Sequence, residues 1–286
     1  MQIIEETHRP LYYDLDECLK CCKNIPETEY KESTYFHMYW NVGLPFERKQ
    51  LLPIKSYLTT QNLYNTKLII WSNVDLSDNE LIKKYSENIE FRIYDPIKES
   101  IGTELENRKD LLTVNDSRNW AGGDLFRILV LHNYGGLYVD FDVVFLRDFA
   151  PLLSQEFMYK WGLEKDMING AIMRGFKHSQ LMKDLIHEIA IGGSFPNSTI
   201  WSTNLYQKVR NYNKNWTIFP SGFFNSEWQD MKFNTPGNGE VFLPFTKNDF
   251  DMYDGAFSWH WHNKWTSDIE EGSKWQVLES SIDKKL

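Results

Sequence analysis

The stretch from Asp116 to Leu146 constrains this chain more than any other. Trp120, Leu125, Ile128, Leu129 and Leu131 put apolar side chains nearly all round a helix, which must therefore be buried. Asp116 or Ser117 can cap its start, and Gly135-Gly136 can end it in the left-handed conformation that glycine adopts without strain. Asp124 and Arg127 share a face of this helix at i, i+3, and a buried Asp and Arg must be paired or must hold a ligand. Next comes Leu137-Tyr138-Val139-Asp140-Phe141-Asp142-Val143-Val144-Phe145-Leu146, which alternates as a strand does. Period two then sends Asp140 and Asp142 to one side and Val139, Phe141 and Val143 to the other. Two carboxylates so placed repel each other unless a cation or a proton relieves them.

The segments before this one read as strand, helix, strand, helix, strand. Phe36-His37-Met38-Tyr39-Trp40, Lys67-Leu68-Ile69-Ile70-Trp71 and Phe91-Arg92-Ile93-Tyr94 are short apolar runs rich in aromatic and β-branched residues. A helix is expected between Pro45 and Leu63, kinked or restarted at Pro53. Another is expected from Ser77 to Tyr85, with Ser77 as cap and Glu80 completing a capping box. That alternation is the pattern of an α/β fold, a mostly parallel central sheet flanked by helices, whose ligands sit beyond the carboxyl ends of the strands. Residues 1–32 are polar and acidic and read as an N-terminal extension with one short helix; residues 33–286 read as a single domain.

Composition narrows the function. A net charge of −9 and no basic tract argue against binding a nucleic-acid backbone, so a phosphate-bearing small ligand needs a local cation. No apolar run is long enough for a transmembrane segment, and Met1 to Glu6 lacks the look of a signal peptide, giving the expectation of a cytoplasmic chain. Cys18, Cys21 and Cys22 have no second pair at zinc-finger spacing and read as free thiols. Arg174, Lys177 and His178 read as a solvated cationic edge, and the triplets at Asn115, Asn197 and Asn215 match a glycosylation pattern that is common by chance. There is neither a Gly-x-Gly-x-x-Gly run nor a Walker-type loop, which removes support for dehydrogenase and P-loop readings.

An Asp-x-Asp pair suits a hard divalent ion, Mn²⁺ or Mg²⁺, that keeps open positions for substrate phosphates. The ordered run Asp124-Leu125-Phe126-Arg127, Tyr134-Gly135-Gly136-Leu137-Tyr138 and Asp140-Phe141-Asp142 resembles the DXD-containing sugar-transfer region of glycosyltransferase family 32. Phe36 to Trp40, Ile70-Trp71 and Met167-Ile168-Asn169-Gly170-Ala171-Ile172-Met173 resemble further parts of that family, and His260-Trp261-His262-Asn263-Lys264-Trp265 does so more loosely. The resemblance implies a GT-A fold, a nucleotide-sugar donor, most naturally a UDP-sugar, a glycan acceptor, a divalent metal and retention of anomeric configuration.

It also implies roles. Asp142 would ligate the metal, Asp140 would approach it while binding the donor, and His260 would be the third ligand. Asp124 and Arg127 would hold donor-sugar hydroxyls, with Tyr138 in the same pocket. Trp40 would lie near the base and Asn169 near the reacting sugar. Lys264 would touch the diphosphate, and Trp261 would close over it. Two other readings compete: a metal-dependent phosphohydrolase with Asp140 as nucleophile, and a non-catalytic glycan-binding module on the same fold. The choice of donor, acceptor and oligomeric state stays open.

Overall fold

The computed structural model describes residues 15–41, 46–113, 120–161, 167–193, 200–226 and 253–286. Helix α1 (Leu15–Lys23) precedes strand β1 (Thr34–Trp40), α2 (Arg48–Thr60) and β2 (Thr66–Ser72). The one-turn α3 (Glu80–Lys83) leads to β3 (Ile89–Ile93), followed by α4 (Pro96–Ser100), α5 (Lys109–Leu112) and the long α6 (Trp120–Tyr134). Then come β4 (Gly136–Val139), β5 (Val143–Phe145), β6 (Phe157–Lys160), β7 (Ile168–Gly175), α7 (Gln180–Ile191) and α8 (Ile200–Tyr212). Strands β8 (Thr217–Phe219) and β9 (Ser258–His260) and helix α9 (Lys274–Asp283) complete the described elements.

Seven strands form one sheet in the order β3-β2-β1-β4-β7-β6-β8, and β5 pairs with β9 in a small second sheet. Only β7 runs antiparallel to its neighbours; the other pairings in the large sheet are parallel. The chain builds outward from β1 to β3 and then returns to lay β4 on the other side of β1. That reversal opens a crevice at the carboxyl ends of β1 and β4, where sheets of this kind take their ligands. Trp40 ends β1 and Asp140 follows β4, so both stand at this point.

Strand alternation splits the core into two layers. Phe36, Met38, Leu68, Ile70, Leu137 and Val139 join one apolar cluster, which also receives Ile54 and Tyr57 of α2. Ile69, Trp71 and Tyr138 face the other cluster, against α6 and α7. Helix α6 is buried all round as its composition requires, with Phe126, Ile128, Leu129, Val130 and Leu131 fully enclosed. It ends as expected: Gly135 and Gly136 take φ of 64° and 118°. A Cβ on Gly136 would lie 2.3 Å from the Tyr35 carbonyl, so no side chain fits there.

Four expectations are corrected. The Asp-x-Asp run is not a strand: β4 stops at Val139, Asp140 to Asp142 form a turn closed by Val143 N–H donating to Asp140 O (3.1 Å), and β5 then pairs in a different sheet. Helix α2 runs through Pro53 without a break, with no restart. Asn79, not Ser77, caps α3, its side chain accepting from Leu81 N–H. Arg174 is 5% exposed and donates to the carbonyls of Leu153 and Gly175, so it is no solvated edge, unlike the exposed Lys177 and His178. The proposed caps Asp116 and Ser117, Pro45, and the triplets at Asn115 and Asn197 lie outside the described residues.

Helix α1 is the short helix of residues 1–32, and it is packed into the body of the protein. Cys18 and Cys22 are fully buried free thiols, and Arg147 donates to the carbonyls of Cys22 and Ile25. No helix of the described residues is long and apolar enough to cross a membrane.

Candidate functional site

The turn after β4 is held from three sides. Asp140 N–H donates to Ala171 O of β7 (2.8 Å), Trp261 N–H donates to Asp142 O (3.0 Å), and Phe141 is buried against Trp40 and Phe46. A turn brings Asp140 and Asp142 together as effectively as one strand face would, and it adds a third donor. His260 ends β9, and β9 pairs with β5 so that His260 lies opposite Val143. Asp140, Asp142 and His260 thus offer ligand atoms within 4.8 Å of one another.

Each charge in this cluster is answered; Asp142, His260, Asp124 and Arg127 are buried and Asp140 is half-buried. Arg127 reaches Asp124 Oδ1 at 3.1 Å and Asp140 Oδ1 at 3.3 Å, and its guanidinium lies 4.6 Å from the centre of the Tyr138 ring. The Tyr138 hydroxyl donates to the same Asp140 oxygen. Burial nevertheless lifts the Asp140 carboxyl above the usual carboxylate range, with Arg127 opposing and Asp142 adding to the rise. Burial pushes Asp142 up too, but the His260 charge, the His260 hydrogen bond and the Asn263 amide outweigh it and hold Asp142 below that range. His260 Nε2 sits 3.1 Å from Asp142 Oδ1, and Asn263 N–H donates to Asp142 Oδ2 at 2.7 Å. For His260, burial disfavours the charged form, yet the two aspartates raise its pKa above the ordinary imidazole value.

Oxygen, oxygen and imidazole nitrogen at this spacing form a donor set for a divalent first-row ion, so the residues present fit the metal that the motif implies. An ion bound there would require neutral His260 and would offset the Asp142 charge.

The other expected site residues fall into two groups. Trp40 is at the crevice, 7% exposed, with its ring edge-to-face on Phe46, Phe141 and Trp265. Asn169 is on β7, half-buried, and its Oδ1 accepts from Ala171 N–H, whose carbonyl in turn accepts from Asp140 N–H. Lys264 is on the loop after β9, close enough to His262 to depress its pKa. Trp261 is 1% exposed and packs on Trp265, so in this conformation it presents no face to a diphosphate.

Several residues escaped the sequence reading. Tyr206 of α8 reaches the network from behind: a Cβ on Gly170 would lie 2.6 Å from its hydroxyl and 2.7 Å from Arg127 Nη1. Tyr159 Oη stands 3.3 Å from His260 Nδ1. His262 stacks on His260 with ring centres 3.9 Å apart, and its Nε2 is 2.8 Å from Asn225 Oδ1. Burial, the charge on His260 and Lys264 push His262 well below the ordinary imidazole pKa, and since Asn225 Oδ1 can only accept, His262 Nε2–H is the donor. None of these residues carries a local sequence signal; each arrives through a separate element.

Residues 20–159 match the model of the glycosyltransferase sugar-binding region containing a DXD motif. The chain carries the DXD-containing sugar-binding region of a glycosyltransferase. The matched span holds Trp40, Asp124, Arg127, Tyr138, Asp140 and Asp142, while Asn169, His260, Trp261 and Lys264 lie beyond it. No curated protein matches this transferase in sequence. Among solved structures, the PaToxG glycosyltransferase aligns at 12% identity and a TM-score of 0.49, over 88% of this chain and 96% of its own. The apo structure of the bifunctional glycosyltransferase WbbM aligns at 10% identity and a TM-score of 0.49, over 91% of this chain and 53% of its own. The mostly parallel seven-stranded sheet flanked by helices is the α/β architecture expected from the sequence.

Proposed function

We propose that this transferase moves a sugar from a nucleoside-diphosphate donor, a UDP-sugar in the first instance, to a hydroxyl of a glycan, with retention and with a divalent metal, Mn²⁺ or Mg²⁺. The observation that carries the reading is the meeting of Asp140, Asp142 and His260 beside the buried Asp124–Arg127 pair at the carboxyl ends of β1 and β4.

Asp140, Asp142 and His260 would hold the ion, which when bound supplies Lewis-acid stabilisation of the departing diphosphate. Lys264 adds a fixed positive charge on the same side. Arg127 donates to donor-sugar hydroxyls and Asp124 accepts from them; Tyr138 fixes the direction of the Asp140 carboxylate. Trp40 flanks the base and Asn169 the anomeric carbon. Asp124, Asp140 and Asp142 are each engaged, by Arg127 or by His260 and the Asn263 amide, so none is left to attack the sugar. Retention then follows from attack of the acceptor hydroxyl on the face the diphosphate leaves, with a diphosphate oxygen taking the proton. The free thiols of Cys18, Cys21 and Cys22 suit a cytoplasmic setting.

The test is a panel of nucleotide sugars, each scored for Mn²⁺-dependent hydrolysis and for a rise in melting temperature, since a donor that binds the native state stabilises it by mass action. One donor should respond in both assays, and transfer from it should give product of unchanged anomeric configuration by NMR. No response across the panel would refute the enzyme reading. Phosphate release from simple phosphomonoesters would favour the phosphohydrolase, and glycan binding that survives Asp142→Asn would favour the non-catalytic module.

A further inference from the structure

Helix α2 carries two buried lysines that do different things. Lys55 is paired with Glu279 and Asp283 of α9, an ordinary ion pair between helices. Lys49, 7% exposed, stands in the first turn of α2, where the helix dipole opposes a cation. It is answered by three backbone carbonyls: its Nζ donates to Lys264 O (2.6 Å), Trp265 O (3.0 Å) and Ser267 O. Three ammonium hydrogens meet three acceptors, and all three belong to one irregular segment more than 200 residues away.

That segment is the loop after His260. His262 and Asn263 both adopt left-handed backbone, with φ of 58° and 55°, a conformation that persists in such residues only when the surroundings over-determine it. The loop is gripped at opposite ends by opposite charges. Asp142 Oδ2 accepts the Asn263 N–H, and Lys49 gathers the carbonyls that follow. Trp265 lies between, its ring on Trp40 and Trp261 and its Nε1–H donating to Asn263 Oδ1.

We infer that Lys49 is a positioning residue for the donor site: it fixes the loop so that the Asn263 amide occupies one oxygen of Asp142 and leaves the other directed at His260. Lys49 touches neither donor nor metal. Without it the two left-handed residues relax, the Asn263 amide leaves Asp142, and the carboxylate loses the orientation in which it and His260 meet an ion. The inference rests on the reading of Asp142 as a metal ligand.

The experiment compares wild type with Lys49→Met, Lys49→Arg and Lys55→Met, the last removing a buried lysine from the same helix without reaching the loop. Mn²⁺ affinity, amide exchange of residues 263–267 and melting temperature are measured on each. Lys49→Met should weaken Mn²⁺ binding about tenfold and speed exchange across the loop, following the scale of lost outer-sphere support at a metal site. Lys49→Arg, which keeps a cation, should recover part of both. Lys55→Met should lower the melting temperature and leave Mn²⁺ affinity and loop exchange unchanged. Wild-type affinity and exchange in Lys49→Met, or equal effects in Lys55→Met, would overturn the inference. Should wild type bind no Mn²⁺, the metal reading falls, and loop exchange alone then judges the latch: unaltered exchange in Lys49→Met refutes it. Should Lys49→Met fail to fold, Lys49→Arg decides by the same readouts: loop exchange faster and Mn²⁺ binding weaker than in Lys55→Met support the latch, and loop exchange and Mn²⁺ affinity equal to those of Lys55→Met and wild type overturn it.

Discussion

The two halves of the proposed donor site are held in opposite ways. Asp124 and Arg127 stand on the enclosed helix α6, and Tyr138 on the central strand β4, with Asp140 one residue beyond it; the two carboxylates share one guanidinium. Asp142, His260 and Asn263 come from a turn, the last residue of a three-residue strand and an irregular loop, and they are joined by side-chain bonds. The first half is fixed by the same packing that makes the domain fold, so damage to it should appear as lost stability. The second is fixed by a handful of polar contacts, so damage there should spare the fold and remove the chemistry.

The sharpest way to break that contrast is Arg127→Met. It leaves Asp124 and Asp140 buried without their cation, which should cost about 3–5 kcal/mol in urea unfolding. Asp142→Asn, in the other half, should cost less than about 1 kcal/mol in the same experiment while cutting donor turnover about 10²–10³-fold, the scale of one preorganised electrostatic contact. Equal losses of stability in the two variants would dissolve the distinction.

Acid should act on the packed half first. His37, fully buried in β1 beside β4, donates from Nε2 to Gly135 O (2.9 Å) and accepts at Nδ1 from Trp71 Nε1–H (3.1 Å), so a second ring proton would face a donor. Burial lowers its pKa from 6.5 to about 4. The unfolded chain therefore takes up this proton before the folded one. The contribution is constant above pH 6.5 and is lost as pH falls from 6.5 towards 4, by about 3 kcal/mol in all. The melting temperature of His37→Gln, set against wild type, should fall less steeply over that window; parallel curves would remove His37 from the account.

A smaller effect sharpens the boundary between the halves. Gly170→Ala puts a methyl group on both Tyr206 Oη and Arg127 Nη1. Overpacking at such a site costs about 1–3 kcal/mol, and Tyr206→Phe, which removes the nearer oxygen, should return part of it. Additive losses in the double variant would show that Tyr206 does not confine Arg127.

The same division marks how far the sequence could be read. The β1, β2 and β3 strands, α6 and its glycine end were legible because their signals are local: apolar period and residues that only glycine can replace. The pairing of Asp124 with Arg127 was legible for the same reason, from helical spacing. The turn at Asp140 to Asp142 was not, since alternation in Leu137 to Leu146 describes β4 and β5 equally well when they belong to different sheets. What breaks the strand is Phe141 dropping onto Trp40 and Phe46, a contact between distant segments. Tyr206, Asn225 and Lys49 act through partners 36 to more than 200 positions away, and no single-segment pattern reports that.

The most direct test of the central claim is Mn²⁺ titration, followed calorimetrically in the presence of UDP, of wild type, Asp142→Asn and His260→Ala. The account predicts one Mn²⁺ per wild-type chain, and affinity reduced about tenfold or more in each variant. Unaltered Mn²⁺ affinity in both variants would contradict it.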